Sequence, residues 1–240
     1  MQKNPRKIKA IIFDLDDTLY DCSGTLVLRG RRQVAGKIAR LIKCSEEEAY
    51  SLQLEMEEKY GVKANIYEKI VSHYHLPGTY AQELLEEFVH IHISDITVFP
   101  DVIDTMIQLK GRGYWVVLVT SGDKEIQRKK IDVLGLNNRY FDDIVITERN
   151  KGQSKKACFR EIIKRYDLQP KEFVCVGDKI DDELAAGKSL GMFTVMFEHG
   201  RHYNAYLKVQ DKYIKPDYFI KHIKDILELR ILNNLQVNQL

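Results

Sequence analysis

Residues 10–21 read AIIFDLDDTLYD. Four apolar residues, Ala10 to Phe13, suit a strand covered on both faces. They run directly into Asp14, Asp16 and Asp17, carboxylates that resist burial. A core strand that ends in clustered negative charge needs something to compensate that charge. The rest of the chain shows what that partner is.

The strand pattern extends over 9–16. Similar apolar runs recur at 114–123 (YWVVLVTSGD), 142–147 (DDIVIT), 172–178 (EFVCVGD), 192–197 (MFTVMF) and, more weakly, 217–220 (DYFI). Helical patterns lie between them. In PDVIDTMIQLKGRG, Val102, Ile103, Met106 and Ile107 form an apolar stripe, and Gly111 and Gly113 punctuate its end. KKACFREIIKRYDL and DDELAAGKSLGM are two more. Strands alternating with helices predict an α/β fold, a Rossmann-like open parallel sheet with right-handed crossovers.

The segment 22–96 breaks this rhythm and offers no convincing strand. SEEE at Ser45–Glu48 and TYAQ at Thr79–Gln82 both fit capping boxes. Three apolar stripes follow a helical period: Val34, Ile38, Leu41 and Ile42; Ile66, Ile70, Val71 and Tyr74; Leu84, Leu85, Phe88 and Val89. These predict a helical bundle over 22–96 inserted into a core made of 1–21 and 97–240.

Composition narrows the function classes. The chain has 240 residues with 37 Lys+Arg against 35 Asp+Glu, a net charge of +2. No strong field favours nucleic acid or an anionic membrane. The basic run KEIQRKK (Lys124–Lys130) reads as the solvated face of a helix whose apolar residues include Ile126, Ile131, Val133 and Leu134. The four cysteines, Cys22, Cys44, Cys158 and Cys175, show no CxxC spacing. No apolar run approaches the roughly 18 residues that span a membrane, and no signal peptide is apparent. The expectation is a reduced, cytoplasmic enzyme or binding domain. Oligomeric state is not legible.

In a parallel sheet, ligands bind beyond the carboxyl ends of the strands. Asp14, Asp16 and Asp17 close the first strand, Thr120 and Ser121 the second. Asp178 closes the fourth, with Asp181, Asp182 and Glu183 following. Lys151, Lys155 and Lys156 precede that strand. Hydroxyls, lysine and carboxylates thus converge on one rim.

This constellation resembles the haloacid dehalogenase-like (HAD) superfamily, over about residues 8–200. Its DxDxT motif matches Asp14-Leu15-Asp16-Asp17-Thr18. Thr120-Ser121-Gly122 matches the hydroxyl-bearing second motif. A lysine near a helix start is the third; it is Lys155, in SKKA, or Lys151 in the loop before. Gly177-Asp178 is the fourth, with either Asp182 or Glu183 as its second acidic member. The resemblance implies that 22–96 is a helical cap and that the chain is a phosphatase of a small phosphorylated metabolite.

The chemistry of such a site has a physical logic. Hard oxygen ligands from Asp14, Asp178 and the Asp16 carbonyl suit Mg²⁺. A cation offsets the repulsion between the Asp14 carboxylate and a phosphate dianion, so Asp14 can act as nucleophile. Asp16, two residues on, can serve as general acid and base. Thr120, Ser121 and Lys155 can bind phosphoryl oxygens. Compensation by metal and phosphate would then explain the charged strand end. A haloacid dehalogenase needs no acid for an alcohol leaving group, and Asp16 argues against one. A phosphomutase on the same core and a phospho-receiver module are competing readings of the same residues.

Several residues also have plainer readings. Asp17 reads as a local cap, and Thr18 as a hydroxyl that ties the loop. Trp115 reads as packing. His199 and Arg201 read as a solvated loop. Arg29, Arg31 and Arg32 read either as substrate contacts or as an exposed helix start.

Overall fold

The structure, a computed structural model, describes residues 8–209 and 215–233. The parts of the expected core at 1–7, 210–214 and 234–240 lie outside the described residues. The chain divides into two compact units, Met1–Asp21 with Asp95–Leu240, and Cys22–Ser94.

The first unit is built on a six-stranded sheet. Its strands are β1 (Ala10–Phe13), β2 (Trp115–Ser121), β3 (Asp143–Thr147), β4 (Phe173–Gly177), β5 (Phe193–Phe197) and β6 (Tyr218–Ile220), in the order β3-β2-β1-β4-β5-β6. Every pairing is parallel; Ile12 lies between Val117 and Cys175, and Phe13 between Leu118 and Val176. The strand order reverses at β1, so a crevice opens between the ends of β1 and β4.

Both faces of the central strands are covered, which is why they read as continuous apolar runs rather than alternating ones. Ala10, Ile12, Val117, Val119, Phe173 and Cys175 pack on one face with Phe159, Ile162 and Leu184. The intervening residues Ile11, Phe13, Val116, Leu118, Val174 and Val176 are also buried, and strand alternation turns them to the opposite face. The helices of this unit, numbered by their place in the chain, are α5 (Val102–Gly111), α6 (Lys124–Val133), α7 (Lys155–Tyr166), α8 (Ala185–Leu190) and α9 (Gly200–Val209).

The second unit holds α1 (Leu28–Ile42), α2 (Glu46–Tyr60), α3 (Ile66–His73) and α4 (Thr79–Val89). Its core is formed by Val34, Ile38, Ala49, Met56, Tyr67, Ile70 and Leu84. α1 approaches α4 so closely that a Cβ on Gly30 would stand 2.8 Å from the Phe88 ring and 3.0 Å from its carbonyl oxygen. Ser45 forms the expected capping box with Glu48. Thr79 does not cap α4. Tyr80 N–H already donates to Pro77 O and Ala81 N–H to Gly78 O, so the turn closes one residue earlier, on Gly78. The three arginines in the first turns of α1 have partners inside this unit. Arg29 donates to the carbonyls of His92 and Ser94, Arg31 pairs with Glu57, and Arg32 pairs with Glu47.

The chain leaves and re-enters the first unit at one place. Tyr20 bridges antiparallel to Val98, and Phe99 N–H donates to Leu19 O at 2.9 Å.

Candidate active site

β1 ends by extending its ladder one residue further: Asp14 N–H donates to Val176 O at 2.9 Å. The chain then turns, with Thr18 and Leu19 both donating to Leu15 O. This fixes the Asp14 side chain at the crevice, where it is 3% exposed.

Lysines face this carboxylate on both sides. Lys155 Nζ lies 2.7 Å from Asp14 Oδ1, and Lys179 Nζ lies 3.3 Å from Oδ2. Lys155 reaches the site because it opens α7, whose first turn is held by Ser154 accepting from Ala157 N–H. Lys151, the other candidate, stands in the preceding loop, largely exposed, with Glu148 at 3.0 Å. Lys179 follows Asp178 directly. Sequence reasoning misses it, because nothing in its spacing marks a lysine there as facing inward.

Of the two acidic candidates after Asp178, Glu183 enters the site. Its Oε2 accepts from Lys155 at 2.8 Å and its Oε1 from Lys179 N–H at 2.6 Å. Gly177 makes room for it, since a Cβ there would stand 2.3 Å from Glu183 Oε1. Asp182 turns to Arg149 and lies 3.8 Å from Lys155 Nζ.

Asp178 is fully buried, and neither of its carboxylate oxygens accepts a hydrogen bond. Lys179 Nζ is 3.7 Å from its Oδ1. Asp14, Asp178 and Glu183 each offer an oxygen within 4.8 Å of the others. Burial, with Glu183 and Asp14 nearby, pushes the Asp178 carboxyl well above the usual range. Burial also raises Glu183, while Lys155 opposes the rise. Asp14 moves the other way: burial favours its neutral form, but Lys155 and Lys179 outweigh it and hold the group low. Burial disfavours the Lys155 ammonium, yet Asp14 and Glu183 keep it charged. A buried carboxylate with orphaned oxygens beside two others is costly as it stands. The donor set is all oxygen and fits a hard divalent cation.

A second group of contacts surrounds Asp16. Its Oδ1 accepts from Tyr20 O–H at 2.5 Å and from Lys130 at 2.9 Å. Its Oδ2 accepts from Lys130 and from Gln127 Nε2, both at 3.1 Å. Gln127 also donates to Thr120 Oγ1 at 2.5 Å. Burial works against the Asp16 carboxylate, but Lys130 and Lys179 outweigh it and hold the group well below the usual range. Ser121 sits at the end of β2, its hydroxyl 2.6 Å from Thr147 Oγ1.

These contacts correct the reading of KEIQRKK as a solvated face. Asp123 caps α6, accepting from Glu125 and Ile126 N–H. Gln127 and Lys130, one turn apart, then point inward and are buried. The i, i+3 spacing of two polar residues after a capped start was the available signal. The charge of the run masked it.

Of the plainer readings, those of Thr18 and His199 change. Thr18 Oγ1 is buried and has no hydrogen-bond partner, so it does not tie the loop. Asp17 adopts a left-handed backbone, with φ 58°. His199 precedes α9 rather than lying in an open loop. Its Nε2 is 3.1 Å from Asp21 Oδ1, and its ring meets Phe99 edge-on. Trp115 stays half exposed against Tyr166.

The chain is similar to known proteins over most of its length. A glyceraldehyde 3-phosphate phosphatase of Methanocaldococcus jannaschii is 29% identical over 95% of this chain and 99% of its own length. One from Methanopyrus kandleri is 28% identical over 92% of this chain and 97% of its own. The crystal structure of a HAD phosphatase from Thermococcus onnurineus matches with a TM-score of 0.59 and 29% identity, covering 92% of this chain and 97% of that one. The family model described as haloacid dehalogenase-like hydrolase matches residues 8–191, which include Asp14, Thr120, Lys155 and Asp178. That match covers more than half of the chain, and the chain belongs to the haloacid dehalogenase-like hydrolases.

Proposed function

We propose that the chain is a Mg²⁺-dependent phosphatase of a small phosphomonoester, working through an aspartyl-phosphate on Asp14. The observation that carries this reading is the buried Asp14 carboxylate, 2.7 Å from Lys155, beside an Asp178 whose oxygens accept no hydrogen bond. The names of the relatives support the same reaction class and make glyceraldehyde 3-phosphate the first substrate to try.

Asp14, Asp178 and the Asp16 carbonyl would hold the ion, and Glu183 is better placed than Asp182 to support it. When bound, Mg²⁺ would offset the charge of the phosphate and orient it. An Asp14 oxygen attacks phosphorus, the ester P–O bond breaks, and the departing alkoxide takes a proton from Asp16, which must carry one at that step although Lys130 and Lys179 favour its charged form in the free site. Water then attacks the phosphorus of the acyl phosphate and gives its proton to Asp16. Inorganic phosphate leaves and Asp14 is restored. Lys155, Thr120 and Ser121 bind the phosphoryl oxygens. We assign substrate discrimination to the helical unit Cys22–Ser94, acting as a cap, because the groups above serve only the phosphoryl that all substrates share. A reduced, cytoplasmic setting suits the four free thiols.

Phosphate release from glyceraldehyde 3-phosphate, phosphoglycolate, a nucleoside monophosphate and an aryl phosphate tests the proposal. Release with Mg²⁺ and its loss in EDTA are expected. Full activity in EDTA, or no release from any compound, overturns it.

A further inference from the structure

Resting on the phosphatase reading, we infer that Gln127 and Lys130 of α6 are positioning residues that hold Asp16 for proton transfer and couple it to the phosphate-binding Thr120.

The geometry is specific. Lys130 Nζ lies 2.9 and 3.1 Å from the two Asp16 oxygens, so the pair is bidentate and the plane of the carboxylate is fixed. Gln127 Nε2 bridges Asp16 Oδ2 and Thr120 Oγ1, at 3.1 and 2.5 Å. One amide thus ties the end of β1 to the end of β2. Both side chains are almost fully buried, Gln127 at 2% and Lys130 at 9% exposure. A buried lysine is expensive unless it is paired, and the carboxylate it pairs with is Asp16. A solvated helix face needs neither group here, so their placement calls for a role at Asp16.

Tyr20 O–H completes the cradle from within the strand-end loop. Without α6, Asp16 would keep one donor and could rotate. Proton transfer requires the carboxyl to lie within hydrogen-bond reach of the reacting oxygen, and small displacements of such groups are costly.

The test is a steady-state comparison of Lys130→Met, Gln127→Leu and Lys130→Arg in the full chain with Mg²⁺. The first two are expected to lower kcat by about 10- to 100-fold with KM little changed, and Lys130→Arg to recover part of the loss. The fall in kcat/KM should be larger on an alkyl phosphate than on an aryl phosphate, whose leaving group needs less protonation. In an Asp16→Asn background, either substitution should cost little more. If Lys130→Met does not fold, Gln127→Leu carries the same comparison. Wild-type kcat in both variants, equal losses on both leaving groups, or full losses in the Asp16→Asn background overturn the inference. A wild-type chain that releases no phosphate, or a fully active Asp16→Asn, overturns the phosphatase reading and this inference with it.

Discussion

Each unit buries a charged cluster, and the two are finished differently. In the helical unit, Arg31 Nη2 lies 2.6 Å from Glu57 Oε2. Buried Gln53 donates to Arg31 O at 3.0 Å and Ala49 O at 3.3 Å, and accepts from Tyr67 O–H at 3.3 Å. Both its donors and its acceptor are thus in use. In the sheet unit, Asp14, Glu183 and Lys155 are paired, but Asp178 keeps two orphaned oxygens. A complete polar network specifies a core and asks for nothing more. An incomplete one at a strand-end crevice is set up to receive a ligand. The difference separates two kinds of buried charge that burial alone cannot distinguish.

The largest expected effect is on activity. Asp14→Asn should remove turnover by at least about 10³-fold, because an amide is a poor nucleophile, while the melting curve stays cooperative. Near-wild-type phosphate release by that variant would break the comparison at its functional end.

The next effect is on stability, in the other unit. Arg31→Met leaves Glu57 largely buried without its guanidinium. It should cost about 2–3 kcal/mol, the usual loss trimmed for the partial exposure of both side chains. Chemical denaturation measures it; a loss below about 0.5 kcal/mol would mean that this pair acts like a surface bridge.

Asp178→Asn should act in the opposite sense. Without metal, burial and the neighbouring Glu183 and Asp14 already disfavour the charged form of Asp178, so a neutral amide there removes that burden and the metal-free variant should melt at or above the wild-type temperature. Addition of Mg²⁺ should raise the melting temperature of the wild type and leave the variant unmoved. A variant clearly less stable than metal-free wild type would show that Asp178 is structural, like Gln53.

The smallest effect lies away from both clusters. Asp217 pairs with Lys188 and accepts from Thr194 N–H and Oγ1, tying β5 to the segment after it. Burial raises its pKa, but Lys188 and Thr194 outweigh that and hold it below the ordinary value. A depressed folded pKa means that this stabilisation is present above the unfolded value and is lost as pH falls through the folded one. Asp217→Asn should therefore cost about 1 kcal/mol near neutral pH. The gap to wild type should close in acid. A gap that stayed constant down to the acid transition would contradict the assignment.

Much of this was legible in the residues themselves. Apolar runs such as AIIF and FVCVG identified strands because a strand covered on both faces must be apolar at both parities. SKKA put Lys155 at a helix start, and Ser154 before it indeed accepts from Ala157 N–H, satisfying an otherwise unpaired donor. Asp14, Thr120 and Asp178 stood out because polar groups closing apolar strands need a reason. Thr79 misled, because a capping pattern states a local preference and the preceding Pro77-Gly78 turn had already begun the helix.

What the sequence determined by itself was the alternation of strands and helices and the polar residues at the strand ends, since both depend on neighbours along the chain. Only the tertiary structure decided that Lys155 rather than Lys151, and Glu183 rather than Asp182, face Asp14. It alone turned Gln127, Lys130 and Lys179 inward. Those outcomes depend on which side chains meet across the β1–β4 crevice and on the space Gly177 leaves for Glu183. Partners more than a hundred residues apart, as Asp16 and Lys130 are, leave no periodic trace in the chain.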